Sequence, residues 1–292
     1  MKKNFFWLVG LLLIATVAFL GVPWLLRRND GQEPSRAVAG SQYINYSGQV
    51  LRKSELSEVQ TAIPEGMVPL AGITSHHLPT AENFIDEFYA QIYSVRPDIG
   101  VFMVVGPDHF ERCKTLASTT AKDFFTPFGT LLNDGKITAA LIQAGAGEDN
   151  SCFMEEHAIG VQASFIKKYF PDAKLVPVLF SSAAGAEAAE KLLNALMESG
   201  QDVFVISSTD FSHYEPLAVA DRVDELTERQ IKNLDAKSAT LRQVDSVAAL
   251  NFVLGFTKAQ KAELSYFEHA SSYDFTGNPD NTTSYFNVIF AK

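Results

Sequence analysis

The stretch VFMVVGPDHF, residues 101–110, runs five apolar residues into a Gly-Pro pair and then delivers an aspartate and a histidine. Val101–Val105 is apolar on both faces, the pattern of a strand covered on both sides, and Gly106-Pro107 stops it. His109 then falls just past the carboxyl end of that strand, the edge at which open α/β sheets bind ligands. Two other apolar runs end in the same way. MVPLAGIT (67–74) leads into SHH, with His76 and His77, and DVFVISS (202–208) leads into TDFSH, with His213. A parallel sheet would bring these three ends to one rim.

The rest of the chain fits such a sheet. Strands are expected at 67–74, 99–105, 137–142, 174–180, 202–208, 262–268 and 283–290. Helical spacing runs through 81–95, 155–169, 184–199, 216–233 and 245–256, clearest where Leu192, Leu193 and Leu196 share a side and Gly200 ends the run. Alternating strands and helices predict one α/β domain of three layers, a central mainly parallel sheet flanked by helices. No fixed-period repeat and no second linker interrupt it.

Composition narrows the function. The chain has 292 residues, a formal net charge of −10, and 47% hydrophobic against 20% charged residues, which is globular. The first 28 residues hold four of the 24 basic residues and no acid, so the remainder carries 20 basic against 34 acidic residues. A body that acidic repels phosphate backbones, and nucleic acid is excluded as a partner. Phe5–Leu26 is an uncharged, mostly apolar run. As a helix it would span roughly 33 Å, enough for a hydrocarbon core. The expected organisation is a membrane anchor at 1–28, a linker NDGQEPSR at 29–36 and a folded domain at 37–292. The lysines at the amino terminus favour that end inside and the domain outside the cytoplasm. Cys113 and Cys152 form no CxxC pattern and read as free, partly buried thiols, a disulfide requiring an oxidising compartment.

The chemistry-bearing residues are histidines. His157, in EEHAIGVQ, opens a helix, and His269 follows the strand at 262–268. Neutral imidazoles at strand ends suit iron, copper or zinc, and two histidines with one carboxylate leave open positions for oxygen and substrate. The bland reading makes each histidine a partner for loop backbone, less apt for three in one context. Other chemistries are weaker. There is no GxSxG elbow, no phosphate loop, and QAGAGEDN lacks the third glycine of a dinucleotide fingerprint. A Ser-Asp network supporting His213 explains SSTDFSHY without a serine nucleophile.

Six blocks in one order resemble the Memo family, including its bacterial AmmeMemoRadiSam system protein B members, which are related in fold to the class III (LigB-type) extradiol dioxygenases. The resemblance runs from about Val38 to the carboxyl end. VAGSQY is similar to the family's AGSFY-like opening, GITSHH falls at its PHAG segment and VVGPDH at its GPSH segment. EEHAIGVQ falls at EHSIEVQ, SSTDFSHY is close to SSDFSHY, and the tail SSYDFTGNPDNTTSYFNVIF follows the family's closing pattern. The resemblance implies that His76 and His109 are metal ligands, that His213 is an acid/base, and that His157 lines the same pocket. The family's third ligand is a cysteine. Here the corresponding segment LRQVDSVAALNFVL has none, and Asp245 falls at its position.

A set of His76, His109 and Asp245 would favour iron(II) over copper(I), since the soft thiolate is lost. Asp245 also opens the expected helix, where an aspartate ordinarily caps by facing the amide of Val247 or Ala248. His77 is an alternative ligand if the loop around His76 is rearranged. The expected function is a membrane-anchored oxidoreductase dependent on iron or copper, acting on a small molecule or peptide. The competing reading is a non-catalytic Memo-fold binding module with a degenerate site.

Overall fold

Residues 43–45 and 55–292 are described by the structure, a computed structural model. In chain order the first elements are β1 (Tyr43–Asn45), β2 (Pro69–Thr74), α1 (Glu82–Val95), β3 (Val101–Pro107), β4 (Ala117–Thr119), β5 (Asp123–Thr126) and β6 (Gly129–Asn133). They are followed by α2 (Gly135–Gln143), β7 (Gly147–Glu148), α3 (His157–Tyr169), β8 (Lys174–Phe180), α4 (Ala186–Ser199) and β9 (Phe204–Ser208). The chain ends with β10 (Phe211–Glu215), α5 (Leu217–Lys232), α6 (Val247–Gln260), β11 (Glu263–Ser271), α7 (Ser272–Thr276) and β12 (Thr282–Ala291).

The sheet is parallel at its centre and antiparallel at its flanks. Strands β6, β8, β3, β9 and β2 lie side by side and parallel, and β12 then joins β2 antiparallel and carries β11 and β10. Along β3 the side chains alternate between two cores, Phe102 and Val104 toward one, Met103 and Val105 toward the other. The first core is completed by α1 and α3, the second by α2, α4 and α6. All four of those residues are fully buried, each contributing about 1.5–3 kcal/mol relative to exposure. The single α/β domain with a covered sheet is therefore present, with more antiparallel edge than the sequence suggests.

One expected strand is a helix. Residues 137–142 lie in α2, because the Asp134 side chain accepts the Ile137 amide at 3.1 Å and caps its start. Ile137 and Leu141, four apart, then face the core at 0% exposure, whereas a strand would send positions four apart to one face only with 139 between them.

The membrane expectation is corrected. Among the described residues no helix is long and apolar enough to cross a membrane. The longest, α5, has 16 residues, about 24 Å against a hydrocarbon core of about 30 Å, and it keeps a charged face. Residues 5–26, on which the anchor was expected, lie outside the described residues. The membrane is therefore not retained as a partner, nor an extracytoplasmic membrane placement as a location.

Helix α1 packs close to the sheet and is pinned to α3. At Gly72 in β2 a Cβ would lie 2.6 Å from the Phe88 ring and 2.7 Å from the Val288 carbonyl, so only hydrogen fits. Between the helices, Lys168 Nζ meets Asp86 Oδ1 at 2.7 Å with both side chains almost fully buried. Tyr169 donates to the same carboxylate at 3.0 Å, and Ser57 donates to its other oxygen. Removing one partner of a buried pair strands the other charge. Lys168→Met should therefore lower unfolding stability in urea by about 3–5 kcal/mol, and adding Asp86→Leu should restore most of it. A single variant as stable as the double one would show that the pair carries no such constraint.

Candidate metal centre

Three adjacent parallel strands end at one place. Strand β9 lies between β2 and β3, with Thr74 opposite Ser208 and Val105 opposite Ser207. Past those ends come Ser75, His76 and His77 from β2, Asp108 and His109 from β3, and Asp210 from β9. Of these, His76, His77, Asp108, His109 and Asp210 line a cleft of about 800 Å³ together with His157, His213 and Asp245. The four histidines singled out in the sequence thus share one cleft. His269 does not line it: it lies within β11 and its Nε2 is 3.1 Å from Asp224.

His76 is held from behind. Its Nδ1 is 3.1 Å from the Ser208 hydroxyl, which itself donates to the Ala158 carbonyl at 2.6 Å and receives the Gln162 amide at 3.0 Å. Ser208 therefore accepts from the Gln162 amide, and a bond to Nδ1 leaves Nε2 facing the cleft. Asp210 fixes the loop by accepting from the Ser75 hydroxyl at 2.5 Å and the His76 amide at 3.3 Å. The Ser-Asp network thus supports His76, where the sequence reading gave it to His213.

His109 is gripped by Glu156. That carboxylate, at 0% exposure, meets His109 Nδ1 at 2.8 Å and accepts the His109 amide at 3.0 Å. It also accepts the Ala158 amide at 3.0 Å and so caps α3. Orienting one ring nitrogen with a carboxylate leaves the other free to bind, the usual support for a metal-binding imidazole.

Asp245 reaches both rings. Its Oδ2 lies 3.3 Å from His76 Nε2 and 3.7 Å from His109 Nε2, and accepts the Asp210 amide at 3.0 Å. It is not the cap of α6. Ser246 takes that role, accepting the Ala249 amide at 3.2 Å. The approach of Asp245 to His76 has an ion pair's distance without a hydrogen bond's direction. His76 Nε2 and Asp245 Oδ1 are both buried with no hydrogen-bond partner. Buried polar atoms are almost always satisfied, so two orphans on residues in contact call for an occupant.

Among the described residues two groups could hold a metal ion, His76 with His109 and His157, and His76 with Asp210 and Asp245. His77 belongs to neither, and Tyr285 engages its Nδ1 at 2.7 Å. Sequence reasoning missed Glu156 and gave the Ser-Asp pair of SSTDFSHY, here Ser208 and Asp210, to His213 in place of His76. Each is visible as a polar residue at a strand end or beside a histidine, but its partner comes from a distant segment. The two cysteines are also corrected. Cys113 and Cys152 are paired, their Cα atoms 5.1 Å apart, because the loop after His109 and the loop before His157 run side by side.

The crowded rings cannot share a charge equally. The His76, His109 and His157 ring centres lie 4.0–5.0 Å apart. Burial works against a charged His109, but the Asp245 and Glu156 carboxylates outweigh it and raise its pKa to about 10. For His157, burial and then the neighbouring His76 and His109 lower the pKa to about 4. Asp245 is held well below the usual carboxylate range, burial being overcome by His109 and His76. In the metal-free protein, imidazole NMR titration should show His109 cationic from neutrality up to about pH 10 and His157 neutral down to about 4. Two overlapping titrations near 6.5 would contradict this arrangement.

Comparison with known proteins agrees with this picture. The model of the Memo-like protein family matches residues 35–289. A MEMO1 family protein of Pyrobaculum aerophilum is 29% identical over 280 residues, covering 88% of this chain and 98% of its own. Another, from Pyrobaculum arsenaticum, is 27% identical over 263 residues, covering 82% of this chain and 90% of its own. The match spans every strand end that builds the cleft, and the chain belongs to the Memo family.

Proposed function

We propose that this chain is a metal-dependent oxidoreductase whose cleft holds one iron(II) or copper ion on His76, His109 and Asp245, a set that takes its two histidines from one of the groups above and its carboxylate from the other, with Asp245 Oδ2 3.3 Å and 3.7 Å from the two Nε2 atoms. The observation that supports it is the pair of unemployed donors: His76 Nε2 and Asp245 Oδ1 are buried and unpartnered, and the other oxygen of Asp245 lies 3.3 Å from that nitrogen. The donor set fits the group. Two imidazoles with Nδ1 already engaged and one carboxylate form the two-histidine, one-carboxylate pattern associated with non-haem iron(II). Both cysteines are in a disulfide, so no thiolate is available to favour copper(I).

A bound ion supplies Lewis acidity and one-electron chemistry that no side chain here provides. The protein's own residues do the rest. Glu156 and Ser208 fix the rings of His109 and His76. His157, neutral at physiological pH, is able to take a proton from a substrate in the cleft. His213, from β10, lines the same cleft and is the second candidate for moving a proton.

Metal analysis and titration calorimetry test this. Wild type should bind iron(II) stoichiometrically, and His109→Ala and Asp245→Ala should each abolish tight binding. Glu156→Gln, at a residue that holds His109 by its outer ring nitrogen and backbone amide and not by the nitrogen facing the cleft, should weaken it about 10–100-fold. Undiminished affinity in Asp245→Ala would remove that residue from the ligand set. A wild-type protein that takes up neither iron nor copper would favour the non-catalytic binding module.

A further inference from the structure

We infer that the cleft selects small organic cations, primary amines with an aromatic or similarly apolar body, and disfavours carboxylates and phosphates. This names a ligand class for the cleft and rests on reading it as the site of chemistry.

The first observation is the charge of the walls. Asp108, Glu111, Glu155, Asp210 and Asp245 line the cleft, and among the described residues no lysine or arginine does. Arg112 is near in sequence but committed elsewhere, its guanidinium 4.6 Å over the Phe110 ring and 3.1 Å from Glu155. Glu111 is exposed, and one of its oxygens accepts the Ser182 amide at 2.8 Å. Among the described residues no ion pair neutralises Glu111. Arg112 offsets Glu155, so with a divalent ion on the floor the cleft still holds five carboxylates against three positive charges. An incoming carboxylate would meet repulsion with no fork of donors to receive it, whereas an ammonium would meet acceptors.

The second observation is the apolar surface left open beside those acids. Tyr214 is 78% exposed and Leu241 52% exposed, and both line the cleft with the buried Leu78. An aromatic face beside carboxylates suits a cation with an apolar body. The third observation lies at the floor, where His76 Nε2, on a residue only 1% exposed, lacks a hydrogen-bond partner. A ligand's polar end therefore has something to meet inside, while its ammonium stays near Glu111.

Three probes of one shape and different charge test the inference: tyramine, 4-ethylphenol and 3-(4-hydroxyphenyl)propionate. Their affinities are measured by calorimetry at low salt, with the whole protein, both metal-free and after incubation with iron(II). Tyramine should bind about tenfold more tightly than the propionate, the scale of one or two partly screened charge contacts, with 4-ethylphenol between them. The Glu111→Gln/Glu155→Gln variant should bring the three within about twofold, and Tyr214→Ala should weaken all three. Equal or tighter binding of the propionate, an unchanged order in the double variant, or no measurable tyramine binding would overturn the inference. The metal reading is judged separately in the same samples. An order preserved in a protein that takes up no iron sinks that reading and supports this one. Iron uptake with the propionate preferred does the reverse.

Discussion

The Glu156 carboxylate is the constraint on which the site depends. It sits with no solvent exposure at the start of α3 and holds the backbone and ring of His109 and the amide of Ala158. A buried carboxylate is stable only when its oxygens are occupied, and here one helix start and one loop at the cleft rim occupy them together. Its own pKa is lowered: burial opposes ionisation, but the His109 hydrogen bond and charge outweigh it. Helix α3 also delivers Gln162 to Ser208 and Lys168 to Asp86, so the same helix braces His76 from behind and locks onto α1. The imidazoles are placed by a single rigid element and not by their loops alone.

Charge at the centre is arranged by distance. Three imidazoles within a few ångströms cannot all be cationic, and the carboxylates decide which is. Asp245 and Glu156 flank His109, whereas His157 stacks on that ring and sees Glu156 from farther away, 3.5 Å against 2.8 Å. The result is one basic and one neutral imidazole from the same residue type, separated by environment. Asp210 places a carboxylate beside the cleft-facing nitrogen of His76, 3.6 Å from Nε2.

Much of this was legible in the sequence, and the misses share a cause. The strands around 101–105, 174–180 and 202–208 announce themselves by apolar runs and turn residues, and their order predicts the rim where His76, His109 and His213 meet. The stretch 137–142 looked like a strand because its apolar density outweighed the capping signal of Asp134. The edge strands β4, β5, β6, β7 and β10 are too short to show a period. The role of Glu156 and the partner of Ser208 and Asp210 escaped because support roles are defined by residues far along the chain: Glu156 reaches 47 residues back to His109, and Ser208 reaches 132 residues back to His76. The pairing of the two cysteines is hidden for the same reason.

Ser246 as the cap of α6 has a consequence for how such a site can change over time. Helix stability at that end rests on Ser246, while the neighbouring Asp245 points at the imidazoles. Had one residue carried both duties, any replacement would have frayed the helix as well as altered the donor set. With the duties divided between neighbours, position 245 is a socket into which a carboxylate or a thiolate can be fitted while the scaffold stands. On the ligand set proposed above, metal preference could then change through this one side chain, with the rest of the cleft left as it is.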